Sequence, residues 1–397
     1  MDELVGTVGN DTFRGFLDGT DDTLTTFDTI EGGAGTDTLN LLMEGTGPYD
    51  LPSGVEISGV EIVNLISDST AALENDGALG LDATKFEGAE QVWLANAINT
   101  AGAVLAGEGQ TIGFRTVAAT ATVTVDDAVG SASIALDRVA DKSTVSVDET
   151  TAGDLETVSV SGSLAAGADE LTIVDVTKTA ETLNLNLTTK AVDLTLTTFD
   201  SLVTLDASAS TGGIEVDVSD SNALETVSFG SGADNVTIDT DDGNDLTVSL
   251  GAGNDTLTLA GTGGAATNGA TTVSLGAGND LVDVSVLANI NVDTKAAFED
   301  SIVSITDFNV AQDKIDLATV SVTVADNIVQ GNVDAAGSLF EALQIAGAGV
   351  AGDAVFEYDG NTYVYLNDGD NVVETGEGLL ELVGVSVDAL NAANFVA

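Results

Sequence analysis

An all-β solenoid is the fold this sequence predicts, and three observations predict it. The 397 residues include 45 Gly but only 2 Pro, with 4% aromatic residues, which suits many tight turns and few large core side chains. Between about residues 55 and 290 the chain runs in short alternating segments of small β-branched residues, each too short to fold alone. Glycine-rich turns ending in Asp return at related separations. A parallel β-helix or β-roll satisfies all three, because each coil can bury its apolar side chains only against its neighbours. A hydrophobic fraction of 43% and a mean hydropathy of +0.25 argue against disorder.

Residues 1–45 read as N-terminal coils carrying two of the glycine turns. Residues 46–225 read as a central solenoid, with strands at 121–125 (ATVTV), 144–147 (TVSV), 157–160 (TVSV), 183–187 (LNLNL) and 194–196 (LTL). Five related phrases place Glu61, Glu90, Glu156, Glu181 and Glu225 at one position, read as a turn leading into a strand. Residues 226–300 return to glycine turns. Residues 301–397 change character and read as a C-terminal cap. Ser338 and Glu341 form a capping-box pattern opening a short helix through Ile345. Residues 354–366 alternate around Asp359-Gly360, a hairpin signal. A solenoid needs such a cap to keep its open end from pairing with other chains.

The chain carries 65 Asp plus Glu against 9 Lys plus Arg, a net charge of -56. A folded polyanion of this kind is expected to hold cations. The basic residues stand singly, so no patch exists to track phosphates, and nucleic acid is excluded as a main partner. With no His and no Cys, disulfides, Cys/His zinc sites and His-based catalysis are excluded as well. Carboxylate and carbonyl oxygens remain, and these suit hard cations such as calcium. The Met-Asp-Glu-Leu start has neither the basic nor the apolar region of a signal peptide, and no apolar run approaches a membrane span, so no transmembrane segment is expected.

Residues 32–40 read Gly-Gly-Ala-Gly-Thr-Asp-Thr-Leu-Asn, a full match to the nonapeptide GGxGxDxUx. Its spacing has a cause: glycines accept positive φ, so the turn curls its carbonyl oxygens inward, Asp37 adds a carboxylate, and Leu39 begins a core strand. The candidate calcium ligands here are Gly32, Gly33, Gly35 and Asp37. Near matches give Gly6, Gly9 and Asp11; Gly230, Gly232 and Asp234; Gly251, Gly253 and Asp255; and Gly276, Gly278 and Asp280. A weaker turn holds Asp242 and Asp245. Asp234, Asp245 and Asp255 are 11 and 10 residues apart, Asp255 and Asp280 are 25, and Asp11 and Asp37 are 26. Coils of about 20–26 residues would stack Asp234, Asp255 and Asp280 along one edge and leave Asp245 on the other, near the turn at 261–269. A single Gly-Asn-Asp turn needs no ligand to explain it. Recurrence in so acidic a chain, with an apolar residue two places after each Asp, points to calcium. The Asn-Asp-Gly-Asp-Asn segment at 367–371 is a further oxygen cluster or an ordinary turn.

These residues carry a resemblance. The stretches at 28–41, 250–257 with 275–280, and Ile-Thr-Asp-Phe at 305–308 followed by Asp-Lys-Ile-Asp-Leu at 313–317 resemble the RTX family of calcium-binding proteins exported by type I secretion. Within that family they are closest to the Caulobacter-type surface-layer proteins. The resemblance implies an uncleaved C-terminal export signal, of whose apolar tail Asn394 is part, and an extracellular, cell-surface location. It also implies calcium as cofactor, a homo-oligomer or surface lattice as the working form, and cell-surface polysaccharide as a further partner. Single turns spaced by coils, rather than long tandem runs, favour the surface-layer branch. The expected function is structural and not enzymatic: calcium-dependent folding and self-assembly at the bacterial surface.

Two alternatives share the fold, an adhesin spacing a binding tip from the cell and an extracellular polysaccharide-degrading enzyme. The chain lacks HExxH, which excludes an RTX-type metalloprotease. Arg138 with Lys142 is the only close basic pair for an anionic substrate. Trp93, the sole Trp, reads as packing near the N-terminal end of the solenoid, with a sugar platform as the lesser reading.

Overall fold

The computed structural model describes residues 2–45, 48–67, 72–73, 80–96, 104–117, 121–125, 129–150, 153–240, 243–261, 269–317, 323–325, 327–350, 352–367, 370 and 372–397. The chain divides into two compact units, Met1–Phe199 and Asp200–Ala397. Both are parallel β-solenoids, and the described residues are nearly all β with few helices.

In the first unit, Thr12–Leu17, Thr38–Met43, Ile62–Ser67, Gln91–Ala95, Thr111–Arg115, Ser131–Val139, Thr157–Leu164 and Thr182–Leu187 pair in parallel, one strand per coil. A second parallel sheet runs from Leu81–Asp82 through Val104–Ala106, Ala121–Val125, Ser143–Glu149 and Glu170–Asp175 to Ala191–Thr197. A third, short sheet joins Glu3–Val5, Thr29–Glu31 and Glu56–Ser58. The central strands expected from alternation are all present. Alternation works here because successive side chains point to opposite faces of a strand. Leu39, Val63, Val92, Ile112, Ile134, Val160 and Leu185 therefore fall in register as one buried ladder.

The second unit repeats the plan with shorter strands. One ladder is Leu205, Val227, Val248, Val273, Ile305 and Leu382; the other is Val216, Val236, Leu257, Val282, Ile315 and Phe395. All twelve are buried.

The C-terminal elements cover the last coils of this unit. Three helices, α1 (Lys295–Asp300), α2 (Asn327–Val333) and α3 (Leu339–Gly349), accompany an antiparallel hairpin of Ala354–Tyr358 and Asn361–Leu366. Helix α3 begins where the capping box places it: Glu341 N–H donates to Ser338 Oγ at 3.2 Å, while Glu341 Oε2 accepts from Gly337 N–H at 2.8 Å. It runs beyond Ile345 because Ala346 and Gly347 continue its buried stripe. Asp359 and Gly360 take φ of 50° and 83°, the left-handed pair that a two-residue hairpin turn requires. Phe298, Leu343, Phe356, Tyr365 and Leu379 make the core beneath. Residues 395–396 form a final rung, pairing in parallel with Lys314–Asp316. No helix among the described residues is long and apolar enough to cross a membrane.

Candidate metal centre

The aspartates that close the glycine turns form a ladder. In the second unit, Ile214 N–H donates to Asp234 Oδ1 (2.7 Å), Asp234 N–H to Asp255 Oδ1 (2.8 Å), Asp255 N–H to Asp280 Oδ1 (2.9 Å) and Asp280 N–H to Asp313 Oδ1 (3.1 Å). Each Asp carbonyl in turn accepts from the coil that follows: Thr256 N–H reaches Asp234, Leu281 reaches Asp255 and Lys314 reaches Asp280, all at 2.8 Å. One side chain and one peptide thus clamp each pair of coils. The Asp sits where it does because the apolar residue two places later must enter the core ladder, which fixes the register of the turn.

The first unit holds a shorter ladder. Asp11 N–H donates to Asp37 Oδ1 (2.7 Å) and Asp37 N–H to Glu61 Oε2 (2.6 Å). Glu61, read from sequence as a turn position, takes the place an aspartate would occupy in the next coil. Asp11, at the first coil, uses Oδ2 within its own turn, accepting from Thr7 N–H and Thr7 Oγ1.

The second carboxylate oxygens decide the chemistry. Oδ2 of Asp37, Asp234, Asp255 and Asp280 is buried without a hydrogen-bond partner, and all four residues are at most 2% exposed. An unpaired buried anion is costly. Burial pushes Asp234 up to about 6, against the bond from Ile214 N–H. Burial likewise pushes Asp255 up to about 7, with the Asp234 and Asp280 charges adding to it. Asp280 and Asp313 are raised by burial, and by Asp307 close by.

The glycines bring the turns into contact. A Cβ on Gly253 would lie 1.8 Å from Gly232 O, and one on Gly278 would lie 1.5 Å from Gly253 O. Gly251 and Gly276 take φ of 86° and 85°, and a Cβ on them would lie 2.1 Å from Gly230 O and 1.8 Å from Gly251 O. Gly230 and Gly232 abut the preceding coil at Ser210 and at Gly212 and Gly213. In the first unit Gly6 abuts Gly32 O, Gly32 abuts Gly59 O, Gly33 abuts Thr7 O and Gly35 abuts Gly9. At Gly32 a Cβ would meet Gly59 O at 1.7 Å and Asp37 Oδ2 at 2.7 Å, so there a carbonyl oxygen and an orphaned carboxylate oxygen lie side by side between coils. That all-oxygen, anionic donor set fits calcium, which takes 6–8 oxygens; the aspartates with the turn carbonyls would hold it.

Asp245 stands apart. It is exposed on the opposite edge, where its Oδ1 accepts from Ala270 N–H at 3.0 Å beside Gly269. Asp242 lies outside the described residues, as do parts of the 367–371 segment. Asp141, Asp169 and Glu170 form an exposed acidic group, but Asp141 already accepts from Asp169 and Glu170 N–H, and Lys142 pairs with Glu170.

Three residues that the sequence reading quoted only within the family-like stretches and the apolar tail take parts in the ladder that it did not assign. Asp313 ends the ladder, its Oδ2 bonded by Asn309 N–H at 2.7 Å; its Asp-x-Ile spacing was the available signal, without glycines to mark it. Asp307 accepts from Leu275 N–H, Gly276 N–H and Ser274 Oγ, holding the start of the 275–280 turn. Asn394 donates from Nδ2 to Val310 O (2.8 Å) and Asp313 O (3.1 Å), so a side-chain amide of the final rung takes the place of the backbone N–H, which bonds Asn391 O. No family model matches this chain, and no curated protein matches it in sequence.

Proposed function

We propose that this chain is a calcium-dependent structural protein of the bacterial cell surface, whose coils close on binding extracellular calcium and which then assembles with copies of itself. The observation that carries this reading is the set of four buried, unpartnered carboxylate oxygens on Asp37, Asp234, Asp255 and Asp280, in a chain of net charge -56. Calcium would neutralise them; the turns supply the remaining oxygens. A ligand that binds only the folded form adds about 2.7 kcal/mol per site at a hundredfold excess over Kd, so a few sites decide whether the coils close. In calcium-poor surroundings the like charges favour the open chain, a form suited to export. The resemblance of the glycine turns to RTX surface-layer proteins supports secretion, a surface location and lattice formation.

The test is a calcium titration of the chelated chain, followed by small-angle scattering, circular dichroism and electron microscopy. Compaction, gain of β signal and ordered sheets or filaments at millimolar calcium are expected. A chain equally compact and ordered after exhaustive chelation refutes the calcium reading. A chain that folds with calcium but stays monomeric refutes the assembly reading alone.

A further inference from the structure

The eight-stranded sheet of the first unit has an outward face poor in carboxylates for so acidic a chain. Among the described residues its outward positions carry hydroxyl, amide and apolar side chains, with Asp137 as the single carboxylate. All three arginines of the chain stand on this sheet: Arg14 and Arg115 point outward, four strands apart, and Arg138 follows Asp137.

Arg115 Nε and Arg138 Nε share Asp137, at 2.7 and 2.9 Å, so two cations meet one anion. Arg14 is exposed and forms no ion pair among the described residues. It lies beside a groove of about 490 Å³ lined by Phe16, Asn40, Leu42 and Ile66. Asn64 Nδ2 donates to Asn40 Oδ1 at 2.9 Å, which uses one donor and one acceptor of that amide pair. One strand further, Trp93 lies flat against Gly113, where a Cβ would come within 2.2 Å of the ring. The Arg115 guanidinium sits 4.5 Å from the ring centroid.

We propose that this face binds an acidic polysaccharide, laid across the coils from Arg14 past the Asn40–Asn64 amides to Trp93 and Arg115. Guanidinium forks match carboxylate or sulfate groups in two-point contacts. Amides bond sugar hydroxyls, and the apolar face of a sugar ring suits aromatic and aliphatic side chains. The overall charge of -56 repels an anion at a distance, but screening over roughly 8 Å at physiological ionic strength leaves the local sign in control.

Trp93, as the only Trp, reports on the site directly. The full chain in calcium-containing buffer is titrated with hyaluronan oligosaccharides while Trp93 emission is followed, with neutral maltooligosaccharides as control. A saturable emission change with hyaluronan alone is expected. Arg14→Ala should weaken it about tenfold with an unchanged circular dichroism spectrum and melting temperature. No response to hyaluronan, an equal response to the neutral sugar, or full affinity in Arg14→Ala overturns the proposal. So does an emission change that follows protein concentration without sugar, which would mean that a second copy covers this face. Calcium binding is read separately by calorimetry, so failure here leaves that reading standing.

Discussion

Asp255→Asn should change the sign of its effect with calcium. Asp255 is 1% exposed, its Oδ1 is bonded by Asp234 N–H at 2.8 Å, and its Oδ2 has no partner. Burial raises it from 3.8 to about 7. That rise of about three pH units, at 1.36 kcal/mol each, makes the ionised form roughly 4 kcal/mol less favourable in the folded chain than in the unfolded one. Asparagine keeps the acceptor and removes the charge, but its NH2 sits where Oδ2 found no partner and costs about 1–3 kcal/mol. In chelator at pH 8 the variant should therefore be more stable by about 1–3 kcal/mol. In millimolar calcium it should be less stable than the parent, because an anionic ligand is gone. Denaturant unfolding with and without calcium, read by far-UV circular dichroism, measures both. A shift of the same sign in the two buffers would show that the ladder oxygens are not what calcium neutralises.

Three further outcomes follow from the same geometry. In chelator, stability should fall as pH rises from about 4 to about 7, because Asp234 and Asp255 are raised in the folded state and must ionise against burial; thermal melts across that range in calcium should be flatter. Gly278→Ala should cost about 3 kcal/mol, since its Cβ would strike Gly253 O, whereas Gly331→Ala, with nothing within 4 Å, should gain about 0.5–1 kcal/mol at its exposed position in helix α2; urea midpoints separate the two. Asn394→Ala leaves the Val310 and Asp313 carbonyls without their amide and should lower stability by about 1–3 kcal/mol, with faster hydrogen exchange at Lys314–Asp316.

The sequence revealed the coil plan because glycine, aspartate and the following apolar residue are each required by a different constraint. Gly278 must clear a carbonyl, Asp280 must reach the previous coil, and Val282 must enter the core. Where one constraint relaxes, the pattern fades. Asp313 needs no glycine because its turn is held by Asn309. Glu61 reaches Asp37 N–H with a longer side chain from a turn whose positive-φ residue is Gly59. Helix α3 was legible from its capping box, but α1 was not: Thr294 caps it through Ala297 N–H without a paired acidic residue, and only Phe298 is buried. The placement of Arg14 and Arg115 on one face, four strands apart, was invisible because they are 101 residues apart in the chain and share a sheet only through the parallel register of the coils.

The direction of the clamp bonds gives the second unit a grain. Every carboxylate from Asp234 to Asp313 reaches backwards, so a coil is complete only once its successor has arrived. The Asp313 turn alone holds its carboxylate from within, through Asn309, and is locked from behind by Asn394. Each clamp in the unit therefore hangs on the coil at its carboxyl side, like links hung from a fixed peg. Shortening the unit from its front should remove coils one at a time, whereas cutting off the last few residues should let the whole stack unwind.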